Sequence, residues 1–235
     1  MLRRVLPPQP DYTAAVIKGL LLDFYGTVVE DDDAIILAIA ARVAALAAKR
    51  VTPDQVAAAW MREFEAVASG PGFLPLRECS PVSLAPVLAE VGCAGDPLAL
   101  CAPQFAYWRS PPLRAGTREF LSRVNLPICI VSDVDSDDLV AAMARHDLTF
   151  DAVVTSEEVG AYKPSPAMFA RALDALSLDA SEVMHVGDSL NADMRGAHAA
   201  GIRAAWVNRR RLHAPDDLPI TYEIANLAEL AALIG

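Results

Sequence analysis

The stretch "VIKGLLLDFYGTVVEDDD", residues 16–33, decides the fold. An apolar run of strand length ends on a carboxylate, Asp23, and then meets Gly26 and Thr27, which call for a sharp turn. Similar short apolar runs recur as "PICIVSD" (127–133), "DAVVTS" (151–156), "EVMHVGD" (182–188) and "RAAWVN" (203–208). Helical stretches at 136–146, 165–176 and 193–200 separate the later four. Strands alternating with helices predict βαβ units and a parallel sheet covered on both faces. Such sheets bind ligands beyond the carboxyl ends of their strands. Four of the five runs carry a polar group there: Asp23, Ser132, Ser156 and Asp188.

Between about 31 and 112 the alternation stops. "DAIILAIAARVAALAAKR" is rich in alanine and apolar residues, and "TPDQVAAAWMREFEAVAS" opens with Thr52, Pro53, Asp54 and Gln55, a helix-start pattern. Two shorter helices are expected in "VSLAPVLAEVG" and "DPLALCAPQFAYWRS", and "SGPGFLPL" divides the segment in two. The expected organisation is α/β: a Rossmann-like parallel sheet core built from 1–30 and 113–235, with an inserted helical cap domain at 31–112. The first sixteen residues read as a loose arm, and "EDDD" at 30–33 as a solvated helix start.

Composition narrows the partners. Of 235 residues 54 % are hydrophobic, and the formal charge is −10, which repels phosphate backbones and disfavours nucleic acid. No run reaches the roughly eighteen apolar residues of a membrane span, and the proline-broken start resembles no signal peptide. Cys79, Cys93, Cys101 and Cys129 lack paired or zinc-ligand spacing. Cytoplasmic location, a monomer or homodimer and a small anionic substrate are the expectations.

The chemistry gathers at the strand ends. A carboxylate such as Asp23 can attack phosphorus and form an acyl phosphate that water hydrolyses. The hydroxyls of Thr27 and Ser132 and the ammonium of Lys163, in "GAYKPSP", suit the equatorial oxygens of a transferring phosphoryl group. "MHVGDSLNAD" adds Asp188 and Asp193. Asp23 and Asp188 with a backbone carbonyl make the oxygen-only set that Mg²⁺ prefers, and several carboxylates beside an anionic substrate need such a cation. Each residue also has an ordinary alternative: Asp23 as a turn residue, Thr27 and Ser132 as caps, and Asp188 and Asp193 as helix-start charges. His185 reads as a core histidine. Trp60, Trp108 and Tyr107 either line the insert's side of a pocket or pack its helices together.

The order D-x-x-G-T, strand-end serine, K-P and G-D-S-x-x-x-D resembles the haloacid dehalogenase-like hydrolase superfamily over about 20–30 and 113–208. The resemblance implies that Asp23 is the nucleophile, that Thr27, Ser132 and Lys163 hold the transferred group, and that Mg²⁺ binds Asp23, the carbonyl of Tyr25, Asp188 and Asp193. Two positions depart from its phosphatases. Tyr25 stands where they carry an acid–base aspartate, and Asp133 stands where asparagine often follows the serine. D-x-Y-G-T is similar to the 2-haloacid dehalogenases, whose halide leaves without a proton. The G-D-S-x-x-x-D motif is the metal-binding form. Arg62, Arg77 and Arg109 are the arginines of the insert from which a dehalogenase would draw its carboxylate partner. The first expectation is therefore a Mg²⁺-dependent hydrolase of a small phosphorylated metabolite. A 2-haloacid dehalogenase is the second, and a catalytically weak ligand- or partner-binding protein the third. Tyr25 is counted among the catalytic candidates, with packing beneath the cap as its other role.

Overall fold

The computed structural model describes residues 16–234, so most of the expected arm at 1–16 lies outside the described residues. Six parallel strands form one sheet in the order β3-β2-β1-β4-β5-β6. They are β1 (Gly19–Leu22), β2 (Ile128–Ser132), β3 (Ala152–Thr155), β4 (Val183–Gly187), β5 (Arg203–Val207) and β6 (Tyr222–Ile224). The first five match the apolar runs of the sequence, and the architecture is the expected Rossmann-like α/β fold.

Period-two alternation divides the sheet residues between two cores. Leu20, Leu22, Ile128, Ile130, Met184 and Val186 face one layer. It contains α5 (Thr117–Arg123), α6 (Ser136–Arg145) and α10 (Leu227–Ile234). Leu21, Cys129, Val131, Val183 and Trp206 face the opposite layer. There lie α8 (Pro166–Leu176) and α9 (Gly196–Ala199). A single turn, α7 (Ser156–Val159), follows β3. All four cysteines are free and buried. Among the described residues no helix is long and apolar enough to cross a membrane.

Between β1 and α5 the chain makes four helices: α1 (Asp33–Leu46), α2 (Pro53–Ala68), α3 (Leu76–Val91) and α4 (Pro97–Trp108). They bury a core of their own around Ile39, Val43, Trp60, Leu84, Leu88 and Leu100. The start of α2 is the expected one. Thr52 Oγ1 accepts from the Gln55 amide at 3.2 Å and Gln55 Oε1 from the Thr52 amide at 2.9 Å, a capping box that contributes about 1 kcal/mol.

Helix α3 begins earlier than the sequence implied and runs through Pro81 and Pro86. Its cap comes from elsewhere in the chain: Asp135, at the start of α6, accepts from the Leu76 and Arg77 amides at 2.6 and 3.0 Å. The "EDDD" run is likewise paired rather than merely solvated. Glu30 meets Arg114, Asp31 meets Arg209, and Asp33 meets Arg210. Asp32 Oδ2 accepts from Gln104 Nε2 and Trp108 Nε1, each at 2.8 Å.

Candidate active site

The strand order reverses between β1 and β4, and the crevice beyond such a reversal is where open α/β sheets take ligands. Asp23 follows β1 and Asp188 follows β4, so the two carboxylates flank that crevice. The Asp23 amide extends the ladder, donating to the Val186 carbonyl at 2.9 Å. The chain then turns hard: the Val28 and Val29 amides both donate to the Phe24 carbonyl. Gly26 makes this turn at φ +89°, and a Cβ there would stand 2.5 Å from Asp188 Oδ2. Glycine is needed both for the dihedral and to admit the carboxylate.

Lys163 ties the carboxylates together. Its Nζ donates to Asp23 Oδ1 at 2.7 Å and to Asp193 Oδ1 at 2.6 Å, all three groups being buried. The lysine lies just before α8. Asp193 sits in a π-helical turn, Leu190–Arg195, where α-helix was expected. The wider turn lets its Oδ2 accept from the Ser189 amide at 2.9 Å. Gly187 makes room, since a Cβ there would lie 2.2 Å from Asp193 Cγ. His185, fully buried, places Nε2 3.0 Å from Asp193 Oδ1.

The charges follow from these contacts. Burial raises the Asp23 carboxyl well above the usual carboxylate range; Lys163 opposes this, while Asp193 and Asp188 add to it. Burial also disfavours charge on Asp193, but Lys163 and His185 hold it ionised, well below that range. Lys163 keeps its proton despite burial because Asp193, Asp23 and Asp133 surround it. Asp188 is raised by burial and by Asp193, against the pull of Arg209, whose Nη2 donates to Asp188 Oδ2 at 2.9 Å.

Three polar atoms at these strand ends are buried without a hydrogen-bond partner among the described residues: Asp23 Oδ2, Thr27 Oγ1 and Ser132 Oγ. Each such atom costs about 1–3 kcal/mol unless a ligand or water satisfies it. Oxygens of Asp23, Asp188 and Asp193 also lie within 4.8 Å of one another. An all-oxygen set with an unpaired oxygen on Asp23 fits a hard divalent cation. The sequence-expected residues Asp23, Thr27, Ser132, Lys163, Asp188 and Asp193 thus meet at one end of the sheet.

Tyr25 faces elsewhere. Its hydroxyl donates to the Trp108 carbonyl at 2.6 Å, joining the turn to the end of α4, and burial first, then Asp138 and Asp32, raises its pKa. Other bonds also hold the helices. Tyr107 Oη donates to the Asp31 carbonyl at the start of the insert, and Tyr162 Oη, from the sheet side, to the Leu74 carbonyl. The fully buried Asp138 carboxylate receives a two-pronged Arg77 and also Arg109. A cavity of about 200 Å³ remains between helices and sheet, lined in part by Tyr25, Trp60, Phe64, Gln104, Trp108 and Asp133. Trp60 and Trp108 therefore line a pocket, whereas Tyr107 is a tether.

Asp133, His185 and Arg209 were not singled out for the site from sequence. Asp133 Oδ1 accepts from the Lys163 amide at 2.9 Å, and burial, partly offset by Lys163, raises its carboxyl to about 6. Its position beside Ser132 was the available signal. Nothing in the spacing marks His185 or Arg209.

Residues 17–201 match the family model described as haloacid dehalogenase-like hydrolase. A phosphoserine phosphatase of Thermus thermophilus is 43 % identical over 79 residues, 34 % of this chain and 31 % of the relative. The chain spans about a third to a half of the length of the curated relatives it matches. Two solved structures are similar over nearly their whole length. The HAD-hydrolase YfnB from Bacillus subtilis, solved bound to magnesium, has a TM-score of 0.74 and 23 % identity, covering 94 % of this chain and 99 % of that one. L-2-haloacid dehalogenase from Xanthobacter autotrophicus has a TM-score of 0.73 and 21 % identity, covering 93 % and 98 %. At these identities the likeness speaks for the fold, which phosphatases and dehalogenases share.

Proposed function

Because the chain belongs to the haloacid dehalogenase-like hydrolases, we propose that it is a Mg²⁺-dependent phosphohydrolase acting on a small phosphate monoester through an aspartyl-phosphate intermediate. The supporting observation is the acidic triad, Asp23, Asp188 and Asp193, with Asp23 Oδ2 buried and unpaired. Lys163 and Arg209 supply two positive charges against three carboxylates, before any anionic substrate arrives. Asp23, the Tyr25 carbonyl, Asp188 and Asp193 would hold Mg²⁺, which when bound offsets this excess and favours ionised Asp23.

In the first step the Asp23 carboxylate forms a bond to phosphorus as the ester P–O bond breaks and the alcohol oxygen leaves with the electron pair. Thr27, Ser132 and Lys163 hold the phosphoryl oxygens as charge develops on them. In the second step water attacks the same phosphorus, the bond to Asp23 breaks with its electron pair returning to the carboxylate, one proton of the water passes through solvent to the oxyanion released in the first step, and inorganic phosphate leaves. Residues 31–112 serve as the cap over a core of 1–30 and 113–235. Tyr25 acts as a clasp between the two, since its proton is engaged by Trp108.

The D-x-Y-G-T sequence favours a second reading, haloacid dehalogenation. Opposing it, among the described residues no arginine lines the cavity between Tyr25, Trp60 and Trp108: Arg77 and Arg109 are held by Asp138, and exposed Arg62 bonds the Ala58 carbonyl. The deciding experiment measures phosphate release from aryl phosphates and chloride release from 2-chloropropionate, with Mg²⁺ or with chelator, for the wild type and Asp23→Asn. Mg²⁺-dependent phosphate release lost in the variant supports the proposal. Metal-independent chloride release would overturn it.

A further inference from the structure

The geometry points to one class of substrate: we infer that the alcohol released is a single-ring, uncharged phenol carrying a hydrogen-bond donor, with no second anionic group. This deepens the phosphohydrolase reading and rests on it.

Size comes first. The cavity holds about 200 Å³ and includes Tyr25 and Asp133 in its wall, the residues just beyond the strand-end groups Asp23 and Ser132. An apolar cavity of about 150 Å³ accepts a benzene-sized guest, so this one takes a ring with one small substituent. Its walls are rings and aliphatic chains: Trp60 and Phe64 from α2, Trp108 from α4, with Ile36 and Leu76 beside them. The polar edges of both tryptophans are already satisfied. Trp60 Nε1 donates to Ser83 Oγ at 3.0 Å, and Trp108 Nε1 to Asp32 Oδ2. What remains toward a guest is apolar ring surface, suited to another aromatic ring.

Charge excludes anions. Among the described residues no lysine, arginine or histidine lines it, while Asp32 and Asp133 do. A second phosphate or a carboxylate would be desolvated there without a partner and beside two acids. One polar atom reads the guest. Gln104 lines the cavity, and its Oε1 is buried with no partner among the described residues. Its orientation is fixed, because only Nε2 can donate to Asp32 Oδ2. A guest hydroxyl or N–H would satisfy it. The clasp on Tyr25 agrees with a phenol, since a phenolate departs without the proton that an alkoxide requires.

The test compares phenyl phosphate, 4-(hydroxymethyl)phenyl phosphate, 4-carboxyphenyl phosphate and glycerol 1-phosphate at saturating Mg²⁺. The first two should exceed the others in kcat/KM by about 10²-fold, with the hydroxymethyl compound best. Gln104→Leu should erase the advantage of the hydroxymethyl group. Met61→Arg, which adds a cation at a cavity position already 46 % exposed, should improve the carboxyphenyl-to-phenyl ratio about tenfold. The melting temperature with Mg²⁺ and beryllofluoride, which lacks any organic part, is measured alongside. If it rises but the carboxylate or the glycerol ester matches phenyl phosphate, the substrate class is wrong and the phosphohydrolase stands. If it does not rise and no ester is hydrolysed, both fall together.

Discussion

Replacing Tyr25 with phenylalanine removes one oxygen and with it the 2.6 Å bond to the Trp108 carbonyl. A hydrogen bond of this kind contributes about 0.5–1.5 kcal/mol net, and an acceptor stranded in a half-buried place adds to the loss. About 1–2 kcal/mol is therefore at stake. In a chain of this length each kcal/mol corresponds to roughly 2–4 °C in melting temperature, so a fall of about 2–8 °C is expected. Catalysis should respond differently. With its proton committed to the helix end, the phenol gives none to the leaving group, and kcat on an alkyl phosphate, whose leaving group needs a proton, should stay within about threefold of wild type. A proton donor would instead be worth about 10²–10⁴-fold, most visibly on alkyl phosphates. Thermal melts and steady-state kinetics on one preparation separate the two. A kcat collapse of about 10²-fold or more with an unchanged melting temperature would refute the clasp. The companion change Tyr25→Asp supplies a carboxyl suited to proton transfer and should raise turnover of alkyl phosphates selectively.

Three further outcomes follow from the geometry. Asp188→Asn removes a carboxylate that burial and Asp193 already push toward protonation, so the metal-free protein should be no less stable while the Mg²⁺-induced rise in melting temperature disappears. Gly26→Ala should cost about 1–2 kcal/mol for the left-handed dihedral, and by displacing Asp188 it should blunt the same Mg²⁺ response. Asp133 has a folded-state pKa of about 6 against 3.8 in its absence, so its contribution to stability is full below about pH 4 and is lost as pH rises through about 6. At about 1.36 kcal/mol per unit, Asp133→Asn should gain up to about 3 kcal/mol at pH 7–8, and the gain should vanish below about pH 4. Urea midpoints across that range measure it, and a variant less stable than wild type at pH 8 would contradict the assignment.

The parts of this molecule legible in sequence are those written in local pattern. Five strands announced themselves as apolar runs, and Thr52 with Gln55 announced the start of α2. Strand β6 did not: it has three residues at the sheet edge, and of these only Ile224 is buried. The first turns of α3 were hidden because Pro81 suggests a break and the capping carboxylate, Asp135, comes from a distant segment. Within the site, the motif order located Asp23, Thr27, Ser132, Lys163, Asp188 and Asp193. The direction of the Tyr25 hydroxyl, the pairing of Asp32 and the approach of Arg209 to Asp188 depend on where the helices settle on the sheet. Such long-range choices leave no periodic trace.

The two passages between sheet and helices lie side by side. Val29 bridges Leu113 in antiparallel fashion, the Glu30 amide donates to the Pro112 carbonyl, and the Arg114 amide to the Val28 carbonyl. A chain that leaves and returns through one doorway can be cut there and rejoined with a short turn, because the ends are already neighbours and closing the loop costs little entropy. The helices are in this sense a replaceable cartridge. The strand-end carboxylates and Lys163 are all carried outside it, whereas Trp60, Phe64, Gln104 and Trp108 travel within it. Transplanting 31–112 from a relative would carry over a new set of walls while leaving Asp23, Asp188 and Lys163 in place. The cavity walls and the strand-end carboxylates can thus be exchanged separately.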